Sequence, residues 1–392
     1  MILSSYLRFI YLLPLVSQVT SSSEVDYSSN SQAAFVALQS WYNRTSGIWD
    51  TTGWWNSANA LTTLGDLAAT TTNLVEKFHV EEVYANTFIA AQIYQFSLVK
   101  SVQDYKPTCH YHPPYPLGIR PPPYSNAKGF LNSYYDDEGW WALAWIQAYD
   151  VTHNLEYLDA AVTIFNDMKN GSTTNCGGIW WDKANTYVNA IANELYLSVG
   201  AHLANRVKGR EQYFLTTAIA QWGWFQQTGM INSQSLINDG ITDTCTNNNG
   251  TVWSYNQGVI LGALVELSAA THNGIYIAIA NRIARAAITA LTDSNGILHD
   301  SCEPDCGADG SQFKGVFVRN LQILQAAAPA DDYLKFIAAN AKSIWRHDRN
   351  DENQLSVVWS GPFVAPANAS TQSSALDVLV AAAALEKKLK GI

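Results

Sequence analysis

A chain of 392 residues, 47% hydrophobic and only 14% charged, is long enough to bury a large core and too apolar to stay unfolded. Its 23 Lys and Arg stand against 33 Asp and Glu, and a formal charge of -10 gives a phosphate backbone no basic footprint, which argues against a nucleic-acid partner. The 14 Trp and 20 Tyr either thicken the core or line a groove for a neutral or weakly cationic ligand.

In chain order, residues 1–22 read as a secretory signal. Arg8 precedes the apolar run from Phe9 to Val16, and small residues from Ser17 to Ser23 follow. The run is too short to span a bilayer. Beyond it, apolar residues recur at helical spacing, with almost no alternating strand pattern. The spacing predicts helices over 32–44, 57–71, 80–99, 136–151, 155–170, 189–207, 211–228, 255–272, 275–292, 313–328, 331–347 and 372–390. Short turns such as Thr152-His153-Asn154 link some pairs, and longer loops rich in Gly, Trp and Asp link the others. The long loops share a rough pattern: Gly47-Ile48-Trp49-Asp50, Gly178-Ile179-Trp180-Trp181-Asp182, Asp239-Gly240-Ile241 with Val252-Trp253-Ser254, Gly296-Ile297-Leu298-His299-Asp300, and Val358-Trp359-Ser360. Six helical hairpins with long loops on one face predict an all-α fold, an (α/α)6 barrel spanning 23–392 as a single domain. The Pro-rich run from Pro113 to Pro123 is expected to stiffen a rim of that face.

Four sequons, at Asn43, Asn170, Asn249 and Asn368, agree with the signal in pointing to a secreted, extracellular protein. The C-terminal segment from Ala375 is amphipathic and ends in lysines, unlike a lipid-anchor signal. Five cysteines then meet an oxidising compartment. Cys302 and Cys306 are spaced to close a small loop, and Cys109, Cys176 and Cys245 leave one further bridge and one thiol. No Cys/His spacing suits zinc, so no metal is assigned. The acids Asp243, Asp300, Asp305 and Asp309 lack the regular alternation of a calcium loop, and a structural calcium is left open. There is no Gly-x-Ser-x-Gly elbow and no Gly-rich phosphate loop.

The chemistry gathers at Tyr134-Tyr135-Asp136-Asp137-Glu138-Gly139-Trp140-Trp141. Acids favour the first turn of a helix, and Asp136 has a structural reading as the N-cap. The functional reading is that two carboxylates are the minimum equipment for cleaving a glycosidic bond. Neighbours at a loop-to-helix junction place their carboxyl groups about 5 Å apart, which suits a retaining mechanism. Glu138, one residue further in, is expected to point away from the groove. Trp55, Trp181 and Trp253, at loop ends, are the candidate sugar platforms. Tyr135, Asp182, Asn189, Asn193, Asp239, Asp243, Tyr255, Asn256 and Gln257 are the candidate partners of sugar hydroxyls, with capping and turn formation as the bland alternative for the Asn and Asp members.

The Asp-pair stretch, extended through Ala142-Leu143-Ala144-Trp145, closely resembles the tandem-Asp motif of glycoside hydrolase family 76, the α-1,6-mannanases. The resemblance continues through Cys176 to Asp182, Asn189 to Leu195, Ile237 to Gly240, Trp253 to Gly258, Phe313 to Arg319 and Thr371 to Ser374, covering about Ala33 to Leu385. Its long Pro-rich loop and cysteines look most like the fungal branch. The resemblance implies an (α/α)6 barrel and endo-cleavage of α-1,6-mannan or mannooligosaccharides with retention, Asp136 serving as nucleophile and Asp137 as acid/base, with no cofactor. Some fungal members are implied instead to be transglycosidases that move mannoproteins from a glycolipid anchor onto wall glucan. A mannan-binding protein without turnover is a third reading. A monomer, secreted and associated with the cell wall, completes the expectation.

Overall fold

The computed structural model describes residues 25–70, 73–92, 96–97, 110–111 and 127–386. The signal reading, Cys109 and the Pro-rich run lie outside them. In chain order the helices are α1 (Tyr27–Gln39), α2 (Trp54–Thr70), α3 (Asn73–Lys77), α4 (Val80–Ala90), α5 (Tyr135–Thr152), α6 (Leu155–Met168), α7 (Ala190–Ala204), α8 (Glu211–Gln227), α9 (Ser254–Thr271), α10 (Ile275–Leu291), α11 (Gly307–Gly310), α12 (Phe313–Ala327), α13 (Asp331–His347) and α14 (Ala369–Ala384). Two two-residue antiparallel pairs, 42–43 with 48–49 and 96–97 with 110–111, are the strand ladders among the described residues.

Helices α2, α5, α7, α9, α12 and α14 pack each on the next, and α14 returns to α2, closing a ring of six. The remaining long helices sit outside it: α6 on α5, α8 on α7, α10 on α9, α1 and α13 on α14, with α3 and α4 on α2. This is the expected (α/α)6 barrel. Burial separates the two rings. In α7 every residue except His202 is buried, and in α14 every residue from Ala369 to Ala382 is, as a helix surrounded by others requires. Outer helices such as α10 keep an exposed polar face beside a buried stripe. The helix expected over 80–99 ends at Ala90, and α3 precedes it. His79, left-handed at φ 50°, separates the two and places the turn.

The long loops are tied to the inner ring by one repeated device. The fourth residue of an inner helix accepts a backbone N–H from the loop before it: Ser57 from Trp49 (3.2 Å), Glu138 from Asn132 (2.9 Å), Asn193 from Ile179 (2.7 Å), Gln257 from Ile237 (2.8 Å) and Gln372 from Leu355 (2.7 Å). Asn193 and Gln257 also donate back to the same loop residue's carbonyl, at 2.9 Å each. Helix α12 follows the extra turn α11 and uses Lys314, whose ammonium donates to the carbonyls of Leu298 and Val357. Buried amides that satisfy loop backbone in this way remove the cost of burying a loop. The result is a rigid end of the barrel where the first turns of all six inner helices and their loops converge.

The opposite end is closed by charge. Arg206, just past α7, donates three bonds to Asp150 of α5 (2.8 to 3.0 Å) and one to Glu266 of α9 (3.1 Å). Inside the barrel Arg319 of α12 pairs with Asp377 of α14 at 3.2 Å and donates to Asn59 of α2.

Candidate active site

Asp136 and Asp137 are the second and third residues of α5, each only 5% exposed. The N-cap position belongs to Tyr134, in extended conformation, so the capping role considered for Asp136 is not the one it has. Tyr134 bridges to Asp182, and the Tyr135 N–H donates to the Trp181 carbonyl at 2.9 Å, which draws the 172–189 loop across the head of the helix. From that loop the Trp181 indole donates to Oδ2 of Asp136 at 3.0 Å. The Asn132 amide donates to Oδ2 of Asp137 at 2.7 Å, while its own Oδ1 accepts the Tyr134 N–H at 2.9 Å. Both carboxyl groups are therefore aimed by neutral donors at a helix N-terminus, where the dipole favours negative charge.

Glu138 has a different place. It is fully buried, paired with Lys183 at 2.7 Å, and Lys183 reaches on to Asp167 at 2.7 Å. Burial pushes its carboxyl well above the usual range, with Lys183 opposing. It is the loop clamp of α5.

Other acids converge on the same end. Asp239 accepts the Tyr187 hydroxyl at 2.7 Å. Burial raises its carboxyl, hydrogen bonds from Tyr187 and Trp253 hold it back, and the nearby Asp136 charge raises it further. The buried Tyr255 phenol is pushed far up by desolvation and by the surrounding Asp239, Asp136, Asp309 and Glu194, so it stays a neutral donor among acids. Tyr255 stacks on Phe313 with centroids 3.7 Å apart, and Trp253 meets the same ring edge-on at 5.5 Å. Trp55 stacks on Trp140 at 5.7 Å and donates from its indole to Asp309 at 2.8 Å. This arrangement can bind a polar ring between aromatic faces and present it with carboxylates.

The structure thus gathers Asp136, Asp137, Trp181, Asp239, Trp253 and Tyr255 at one end of the barrel, with Trp55 joined through Asp309. The side chains of Asn193 and Gln257 are committed to the loop clamps, and Asn189 caps α7, accepting from the Ala192 N–H. Asp182 accepts the Thr186 N–H at 3.0 Å, and the Tyr135 ring lies 5.4 Å from the Lys183 ammonium. Asp243 is exposed in a turn, and Asn256 is fully buried. Tyr187 and Asn132 were not singled out from sequence, where nothing marks them. Asp309, weighed there only as a calcium ligand, is the hydrogen-bond partner of Trp55. Among the described residues no cluster of three or more His, Cys, Asp or Glu is placed to hold a metal ion, and no helix is long and apolar enough to cross a membrane. Disulfides join Cys302 to Cys306 and Cys176 to Cys245.

The model of glycosyl hydrolase family 76 matches residues 26–390. Mannan endo-1,6-alpha-mannosidase DFG5 of Saccharomyces cerevisiae is 27% identical over 236 residues, 53% of this chain and 51% of that protein. A putative mannan endo-1,6-alpha-mannosidase of Schizosaccharomyces pombe is 27% identical over 229 residues, again 53% and 51%. The chain spans about half the length of the curated relatives it matches. Among solved structures, the alpha-1,6-mannanase GH76A of Salegentibacter sp. HEL1_6 superposes with a TM-score of 0.74 at 18% identity, covering 92% of this chain and 99% of that one. That structure is an inactive variant, two consecutive aspartates replaced by alanine, in complex with alpha-1,6-mannotetrose. Dfg5 from Chaetomium thermophilum, in complex with glucosamine, gives 0.70 at 18% identity, covering 92% and 90%. At such identities the likeness is one of fold.

Proposed function

The chain belongs to glycosyl hydrolase family 76, and from that premise we propose that it is a secreted, retaining endo-α-1,6-mannanase. The observation that carries this reading is the pair of nearly buried carboxylates on the first turn of inner helix α5, aimed by Trp181 and Asn132 into the aromatic end of the barrel. In the first step Asp137 gives its proton to the departing glycosidic oxygen while Asp136 attacks the anomeric carbon from the opposite side, forming a glycosyl ester. In the second, Asp137 takes a proton from water, which attacks the same carbon and releases Asp136, so two inversions leave the α configuration intact. The Trp181 indole stabilises the Asp136 carboxylate as it is regenerated. In this reading Asp239 and the Tyr255 hydroxyl bond sugar hydroxyls, and Trp55, Trp181 and Trp253 supply apolar faces.

Three things support the substrate and the compartment. The matched relatives are named mannan endo-1,6-alpha-mannosidases. The inactive Salegentibacter neighbour carries its change at two consecutive aspartates and holds an α-1,6-mannooligosaccharide. Two disulfides, with sequons at the exposed Asn170 and Asn249, suit an oxidising secretory route. The test is to incubate the purified protein with linear α-1,6-mannan and follow product anomers by NMR. Initial α-mannose ends are expected, and initial β ends or no cleavage would overturn the reading. Transfer to an added acceptor outpacing hydrolysis would make it a transglycosidase. Binding without turnover, unchanged in Asp136→Asn, would make it a mannan-binding protein.

A further inference from the structure

In α5, α9 and α12 the residue that follows the loop clamp faces the next inner helix. A Cβ added at Gly139 of α5 would lie 2.8 Å from the Leu195 Cβ of α7, and one at Gly258 of α9 would lie 2.5 Å from the Phe317 Cα of α12. At Gly315 of α12 it would lie 2.5 Å from the Ser374 Cα of α14. The matching residues of α2 and α14 are Ala58 and Ser373. Small side chains at these seams let neighbouring backbones approach closely. In α7 the same position holds Glu194.

The Glu194 side chain is fully buried, and neither carboxyl oxygen has a hydrogen-bond partner in the protein. By the ring's geometry it faces α9. The residue before a clamp lies about 200° round the helix from the one after it, and so faces the preceding inner helix. In α9 that residue is Asn256, also fully buried, with amide nitrogen and oxygen both unpartnered. Two orphaned polar side chains thus face each other across the α7–α9 seam, in the first turns below the groove. The Ala190 N–H holds the Asp239 carbonyl at 2.7 Å, and Glu194 lies one turn below Ala190 on the same face. Helical side chains lean towards the N-terminus, which carries the carboxyl up towards the Asp239 segment. Tyr255 precedes Asn256 and senses both Glu194 and Asp239.

Buried polar groups without a protein partner are satisfied by ordered water, and a carboxylic acid facing an amide offers it both donors and acceptors. We propose that Glu194 and Asn256 hold an internal water between α7 and α9, and that this polar wedge makes Glu194 a specificity-determining residue by setting the spacing of Asp239 and Tyr255 across the groove. The proposal rests on the reading of those two residues as part of the sugar site. Burial, with the Asp239 charge from the loop before α9, pushes the Glu194 carboxyl well up and so favours its neutral form. Glutamine is then its close mimic.

The test combines binding of α-1,6-mannotriose by calorimetry with a crystal structure of the unmodified protein. Glu194→Gln should bind within about 2-fold of the parent, while Glu194→Leu, which keeps the bulk and strands Asn256, should weaken binding about 10-fold. Adding Asn256→Leu to Glu194→Leu should restore part of the loss. The crystal structure should show water within hydrogen-bond distance of both side chains. Parent-like binding by Glu194→Leu, or Glu194 bonded directly to Asn256 with no water, would overturn the proposal. If the parent binds no mannotriose, the mannanase reading fails, and melting then decides the seam alone. A buried acid with a raised pKa loses stability as pH rises, so Glu194→Gln should match the parent near pH 4 and exceed it near pH 8. Equal melting at both would overturn the wedge.

Discussion

The two ends of this barrel treat their carboxylates differently. At the far end Asp150 and Glu266 are gripped by Arg206, a guanidinium fork that neutralises them and ties α5, α7 and α9 together. At the loop end Asp136 receives an indole N–H, Asp137 an amide, Asp239 a phenol and Asp309 an indole. Those bonds orient the acids towards the groove. Glu138 makes the contrast within a single helical turn, because it sits beside the pair yet is held by Lys183 and acts as a clamp. Glu138 and the far-end acids are matched by cations and maintain the ring, whereas the groove acids are oriented by the indole, amide and phenol donors that reach them.

That contrast can be broken by substitution. Asp137→Ala should cut turnover of α-1,6-mannan about 1000-fold, the usual worth of a positioned general acid, with melting unchanged. A matching loss of melting temperature would place Asp137 with the structural acids. Trp181→Phe keeps the ring against Tyr134, 5.0 Å away, and removes the donor to Asp136. Turnover should fall about 10- to 100-fold, as expected for a hydrogen bond to a charged group. Arg206→Ala should do the reverse, costing about 2 kcal/mol of stability by stranding two partly buried acids while per-molecule turnover stays near the parent's. A pure loss of turnover there would dissolve the distinction between the ends.

The smallest effect on turnover is expected at Asp66, on the far part of α2, where burial raises the carboxyl to about 7 and Gln147 donates to it at 2.8 Å. The folded protein holds that proton where the unfolded chain, titrating near 3.8, has lost it. Stability tied to the proton is complete at low pH and drains away as pH rises from about 4 to 7. Asp66→Asn should therefore gain stability on the parent through that window and hold the gain above it. A flat difference from pH 4 to 8 would show that the carboxyl is not protonated in the fold.

The long helices were legible in the sequence because burial on one stripe, or on all sides, leaves a strong 3.6-residue period. The position of the acid pair was legible because adjacent carboxylates at the head of an apolar helix stand out in a chain this poor in charge, although the first turn of a helix also favours acids for structural reasons. The direction of a polar side chain beside the site was not. Asn193 and Gln257 stand next to loop tryptophans much as sugar ligands would, yet they clamp residues 14 and 20 positions upstream, a spacing that varies from hairpin to hairpin. A rotation of about 100° per residue decides between groove and loop, and composition does not record it. Asp309 escaped for a related reason, since its partner Trp55 lies 254 residues away.

The central claim is that Asp136 reacts while the cation-held acids only support. The most direct measurement compares the parent and Asp136→Asn side by side on linear α-1,6-mannan, with melting recorded for both. The account predicts an Asn variant that melts like the parent, still binds mannooligosaccharide, and has lost about 10,000-fold or more of its turnover. An Asn variant that cleaves the polymer at the parent's rate would contradict it.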